Sequence, residues 1–219
     1  MNSSRRNVLK ASLGALGVLA STSALAKSFD AVCRTTPPQT EGPFYPVKDQ
    51  ADKDADLTQV QGRPNRARGD VVYIVGIVSD ESCRPVPGAL VEIWQACASG
   101  KYNHPGDDNT APLDPDFQYW GRALTDANGE YRFKTILPGA YPADTDWMRP
   151  PHIHYKVHRR GYHELTTQMY FEGNPYNAGD KILQAVPANE RESVVVAFAP
   201  ADFDAGAQVG RFNLTIIKV

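Results

Sequence analysis

The sequence has little cysteine, no long apolar run and no excess of charge of one sign. Its three cysteines, Cys33, Cys83 and Cys97, show no Cys-x-x-Cys spacing, which argues against thiolate metal ligation. Being odd in number, they allow at most one intramolecular disulfide, and the sequence leaves open which pair forms it. The formal charge of −2, with no Lys/Arg run beyond the first ten residues, gives no electrostatic footprint for nucleic acid. The uncharged apolar run from Ala11 to Ala20 is too short to span a membrane. Elsewhere no stretch keeps a 3.6-residue apolar period for more than about three turns, so long helices are not expected.

What is present points to many short elements joined by turns. The chain of 219 residues suits one domain with a sizeable core. Seventeen prolines and seventeen glycines are spread along it. The N-terminus reads differently from the rest. Arg5-Arg6 precedes the apolar run, and Ala24-Leu25-Ala26 has the small-x-small form of a signal-peptidase site. The Ser-Arg-Arg-x-x-Leu-Lys order resembles a twin-arginine export signal, with Val8 where Phe is usual. Residues 1–26 are therefore expected to direct export, and in a two-membrane bacterium the destination is the periplasm. The disulfide-permissive compartment agrees with cysteines placed beyond the cleavage point.

Residues 27–69 show little periodicity and read as an extended arm, and residues 70–219 as the folded domain. Strand candidates are 70–79, rich in β-branched residues, then 86–95, 121–125, 130–136, 152–158, 166–171, 193–198 and 211–219. Asp126-Ala127-Asn128-Gly129 between two of them is a hairpin signal. The expected class is all-β, an antiparallel β-sandwich with long loops.

The clearest chemical constellation is Arg149-Pro150-Pro151-His152-Ile153-His154. Along a strand, side chains at i and i+2 share a face, so His152 and His154 would present two imidazoles side by side. Several ligand sets could complete a metal site. A zinc hydrolase would add a third histidine, with His104 the candidate, and a non-haem iron(II) site would add a carboxylate. Tyr102 and Tyr141 offer a third solution, because phenolate is a hard anionic ligand suited to iron(III). Trp94 reads as core, while His158 and His163 read as solvated surface.

Six segments, in order, resemble the intradiol ring-cleavage dioxygenases, most closely the protocatechuate 3,4-dioxygenase branch. They are Thr40 to Tyr45 (Thr-Glu-Gly-Pro-Phe-Tyr), Gly88 to Gln95, Gly100 to His104, Asp126 to Phe133, Arg149 to His154 and Thr167 to Glu172. The resemblance implies one Fe(3+) held by Tyr102, Tyr141, His152 and His154. It implies that Tyr141 also serves as a base, that Arg149 stabilises charge developing on the ring, and that Gln168 stands beside it. Tyr45 and Trp147 would line the substrate pocket. The implied partners are a small aromatic diol and O2, with a cis,cis-muconate as product, and a homo-oligomer, since assembly is common in relatives. The alternative is a non-catalytic, transthyretin-like (prealbumin-like) binding module, suggested by the pattern from Gly76 to Val91. Such a module would have no use for the two tyrosines and two histidines together.

Overall fold

The computed structural model describes residues 33–219; the export signal expected at 1–26 and the start of the arm lie outside them. Among these residues twelve strands carry the fold, with very little helix. They are β1 (Val71–Asp80), β2 (Leu90–Trp94), β3 (Trp120–Leu124), β4 (Glu130–Ile136), β5 (Tyr141–Asp144), β6 (Trp147–Arg149), β7 (His152–His158), β8 (Leu165–Phe171), β9 (Val195–Val196), β10 (Phe198–Pro200), β11 (Gln208–Arg211) and β12 (Leu214–Ile216). The single α-helix among the described residues, α1 (Lys181–Ala185), follows a 3-10 turn at Pro175–Gly179. No helix among the described residues is long and apolar enough to cross a membrane.

One five-stranded sheet runs β10-β11-β1-β12, with β4 also paired to β1. The other runs β3-β2-β7-β8-β9, and β5 and β6 form a separate hairpin. Both sheets contribute to one apolar core: Ile74, Val78 and Phe133 from the first meet Val91, Ile93, Ile153, Tyr155 and Met169 from the second. Tyr155 and Phe212 lock the layers together at 4.9 Å between ring centroids. This alternation makes β7 two-faced. Ile153, Tyr155 and Val157 are fully buried in the core, which forces His152, His154, Lys156 and His158 onto the outer face.

The expectation of a purely antiparallel sandwich needs correction. Strand β1 pairs in parallel with both β11 and β12, and β8 pairs in parallel with β9. The C-terminal segment returns to β1 along its own direction after long connections, and parallel pairing leaves no local turn signal to read. The β5–β6 hairpin and α1 were also not anticipated.

Before β1 the backbone runs along the sandwich, hydrogen-bonded to it at intervals. Thr36 N donates to Thr215 O, Gln39 N to Thr166 O and Leu57 N to Lys134 O. A disulfide joins Cys33 to Cys83 in the turn after β1, and Cys97 is a buried free thiol. The bridge spans 50 positions, and on the chain-entropy model a loop of that size contributes roughly 4 kcal/mol.

Candidate active site

Register on the outer face of the second sheet decides which side chains meet. Trp120 lies opposite Trp94, Trp94 opposite His154, and His154 opposite Gln168, so one row crosses four strands. His152 stands opposite Tyr170 in the next row. Two loops come over these rows. The one after β2 carries Tyr102, and the one after β4 leads into β5, whose first residue is Tyr141. The loops meet backbone to backbone through glycines. A Cβ on Gly139 would sit 2.4 Å from Gly100 N, and one on Gly100 would sit 2.5 Å from Ala140 O. Gly100 also has φ +82°, a conformation that side chains rarely adopt.

The result is a buried cluster of rings. Tyr102 Oη lies 3.2 Å from His152 Nε2 and 3.1 Å from His154 Nε2. The Tyr141 ring stands perpendicular to that of Tyr102, centroids 5.6 Å apart, and 5.7 Å from His152. All four side chains are 7% exposed or less. Burial pushes both phenols above their usual range; the neighbouring Tyr141 pushes Tyr102 further, while Arg149 opposes the rise at Tyr141. Burial, then the nearby Arg149 charge, holds both imidazoles well below their usual range. Burial thus favours the uncharged form of all four groups.

This donor set fits a metal cation. His152 Nδ1 is 2.7 Å from Pro150 O, and a carbonyl can only accept, so Nδ1 carries the proton. Its Nε2 then offers a bare lone pair into the cluster, beside the second ring nitrogen and the phenol oxygen. A bound cation would also reverse the preference of the phenols, because its charge stabilises phenolate where burial alone does not.

Arg149 ends β6 directly opposite Tyr141 in the hairpin register. Its Nε donates to Asp180 Oδ2 at 2.7 Å and its Nη2 to Gln168 Oε1 at 2.7 Å. Gln168 Nε2 in turn donates to Thr40 O at 2.8 Å, linking the arginine to the segment before β1. That segment places Phe44 against Tyr102, 4.7 Å between centroids, and 6.3 Å from Tyr141.

Residues 40–214 match the dioxygenase family model. The chain belongs to the intradiol ring-cleavage dioxygenase family. It is 41% identical over 171 residues to the protocatechuate 3,4-dioxygenase beta chain of Burkholderia cepacia, covering 77% of this chain and 73% of that one. It is 30% identical over 143 residues to catechol 1,2-dioxygenase of Candida albicans, covering 59% of this chain but 44% of that protein. Among solved structures it resembles the dioxygenase domain of a dioxygenase carbohydrate-binding protein fusion from Streptomyces sp. SirexAA-E. The TM-score is 0.64 at 27% identity, covering 85% of this chain and all of that domain.

As a member of this family the chain brings together the six residues that its motifs single out, Tyr102, Tyr141, Arg149, His152, His154 and Gln168. Tyr45 packs edge-on against Trp94 at 5.0 Å and lies beneath the Lys156 ammonium at 3.9 Å. Trp147 lies beside Arg149 at 5.6 Å and lines a cleft of about 430 Å³ with Pro142 and Tyr176. His104 does not join the histidine pair. It packs on Phe44 and its Nδ1 accepts from Gly106 N, and no group of three or more His, Cys, Asp or Glu gathers for a metal among the described residues. The histidine-only zinc arrangement is therefore not formed. Trp94 is core, as expected: it is 1% exposed and packs in a cluster with Tyr102, Trp120 and Tyr141, and one face of its ring stacks on His154. Sequence reading missed Asp180, Tyr170 and Phe44. Of these, Asp180 had a legible signal, an Asp before Lys-Ile-Leu that reads as a helix N-cap.

Proposed function

We propose that this enzyme is an exported, iron(III)-dependent intradiol dioxygenase, opening a protocatechuate-like catechol between its hydroxyl-bearing carbons to give a cis,cis-muconate. The observation that carries the reading is the convergence of the Tyr102 oxygen with both imidazole Nε2 atoms, with Tyr141 beside them. Tyr102, Tyr141, His152 and His154 would hold the ion. When bound, iron(III) supplies Lewis acidity and accepts electron density from a chelated diol, which makes the ring reactive toward O2. The remaining work falls to the chain. Tyr141 Oη, facing Arg149 across the hairpin, would take one substrate hydroxyl proton. The Arg149 guanidinium, fixed in a water-poor site, would stabilise negative charge that develops on the ring. Gln168 would hold the guanidinium and the Thr40 segment in one arrangement.

The preference for a carboxylated diol rests on the likeness to the Burkholderia beta chain. The prealbumin-like reading of the fold is supported by the two sheets packed on one core. Export is supported by the N-terminal motif and by the Cys33–Cys83 bridge, which persists in an oxidising compartment.

The test is the visible absorption of the purified mature protein, before and after anaerobic addition of protocatechuate or catechol. A red-brown tyrosinate-to-iron(III) band that moves to longer wavelength is expected. A protein that stays colourless after iron(III) reconstitution would remove this reading and leave the non-catalytic binding module.

A further inference from the structure

Asp180 is a carboxylate with no solvent exposure at all, set at the N-terminus of the five-residue helix α1. Its Oδ1 accepts from Leu183 N at 2.8 Å, an ordinary cap. A cap needs one oxygen and usually keeps the other in water, since burying a charge is costly unless it is paired. Here the second oxygen accepts from Arg149 Nε at 2.7 Å, and the two side chains are 0% and 4% exposed.

The guanidinium is thereby held along two edges. Asp180 takes Nε, while Nη2 donates to Gln168 Oε1 at 2.7 Å and lies 3.4 Å from Tyr170 Oη. A planar group fixed at two edges cannot turn about its own stem. Among the described residues Nη1 makes no hydrogen bond, so Nε and Nη2 carry the fixation. We infer that Asp180 is a positioning residue of the reaction: it sets the plane of Arg149, which lies opposite Tyr141 in the hairpin register, and balances the buried positive charge next to a cation site. This rests on the proposed dioxygenase reading for its consequence in turnover, but not for its consequence in structure.

The variant that separates positioning from folding is Asp180→Asn. Asparagine is as good an N-cap as aspartate, so α1 keeps its start. With its one oxygen kept by the cap, asparagine turns its NH2, itself a donor, toward Arg149 Nε, so both the charge and the acceptor opposite the guanidinium are lost. The first readout is amide-type hydrogen exchange at Arg149 Nε–H by 15N NMR of the metal-free protein, the signal assigned by its loss in Arg149→Lys. Wild type should show a protected Nε–H, and Asp180→Asn should lose ~100-fold or more of that protection. The second readout is turnover of the iron-loaded protein. Asp180→Asn should lower kcat ~10- to 100-fold, the scale expected when a reacting group is misplaced by about 1 Å. Iron content and the resting visible band should not change. In an Arg149→Ala background the same change should cost less than ~2-fold, because a positioning residue has nothing left to position. Undiminished protection in Asp180→Asn, or full independent losses in the double variant, would overturn the assignment. Should the wild-type protein cleave no catechol, the dioxygenase reading fails by itself, and the exchange measurement still decides whether Asp180 fixes Arg149.

Discussion

Trp94 lies flat against His154, ring centroids 4.8 Å apart and planes 11° from parallel, because β2 and β7 place the two residues directly opposite. His152 has its ring oriented by the Pro150 carbonyl, whereas His154 Nδ1 has no hydrogen-bond partner among the described residues. The indole face therefore orients His154 by packing. Trp94→Leu should lower iron affinity ~10- to 100-fold, the usual scale for losing a group that orients a metal ligand. Trp94→Phe, which keeps an aromatic face, should retain most of it. Iron titration followed by the visible band reads both, and equal affinity in Trp94→Leu would refute the role.

Tyr102 and Arg149 should fail in opposite ways. Tyr102 Oη is the atom both imidazoles converge on, so Tyr102→Phe should abolish tight iron binding and the colour with it. Arg149 contacts Gln168 and Asp180 rather than an imidazole nitrogen. Arg149→Ala should bind iron with an unchanged resting spectrum and lose ~100- to 1000-fold in kcat, the scale for removing one fixed charge-stabilising donor. Metal analysis and kinetics on the two variants, side by side, test the pair. Iron retained in Tyr102→Phe, or a normal rate in Arg149→Ala, would exchange or remove the roles.

The same contrast shows what the sequence could and could not disclose. The strands at Glu130–Ile136 and His152–His158 were readable to the residue, because β-branched and aromatic side chains alternate between turn signals. The histidine pair followed from that period, and the tyrosines followed from motif resemblance. The β5–β6 hairpin was hidden: Pro142, Asp144 and Asp146 depress strand character, and the two strands are four and three residues long. Yet this hairpin is what places Tyr141 opposite Arg149. The Asp180–Arg149 pair spans 31 positions and crosses from a short helix to a strand end, so no local pattern encodes it. The stack of Trp94 on His154 depended on register, which the strand pattern of β2 alone does not supply.

Gly139 and Gly100 hold the two tyrosine loops together by leaving room for backbone contact. A methyl group on Gly139 would lie 2.4 Å from Gly100 N and 2.5 Å from Ala98 O, and neither atom is the end of a movable side chain. Gly139→Ala should therefore force the loops apart, destabilising the fold by about 1–3 kcal/mol and weakening iron binding together with it. Thermal unfolding of the metal-free protein and iron titration measure the two effects. A variant with unchanged melting temperature and full iron content would show that the loops can separate without cost.

Asp80 ends β1 and closes the turn that carries Cys83. Its Oδ1 accepts from the amides of Ser82 and Arg84, both at 2.9 Å, and its Oδ2 from Arg84 Nε at 2.8 Å. Burial by itself would raise this carboxyl, but the bonds from Arg84 and Ser82 outweigh it and hold the pKa below the usual carboxylate value. The Arg84 side chain is 64% exposed, so solvent screens the ionic part and the two amides supply most of the effect. A carboxyl with a depressed folded-state pKa stabilises the fold above its unfolded pKa, near 3.9. That contribution is lost as the pH falls from there through the lower folded-state pKa. Asp80→Asn should be less stable than wild type at pH 7 by about 1–2 kcal/mol, the scale of a lost charge-assisted hydrogen bond. It should also lose less on acidification, so that the two stability curves approach each other below about pH 4. Urea unfolding at a series of pH values, with the Cys33–Cys83 bridge intact, gives both curves; parallel curves through the acid range would show that the turn does not depend on the charge of Asp80.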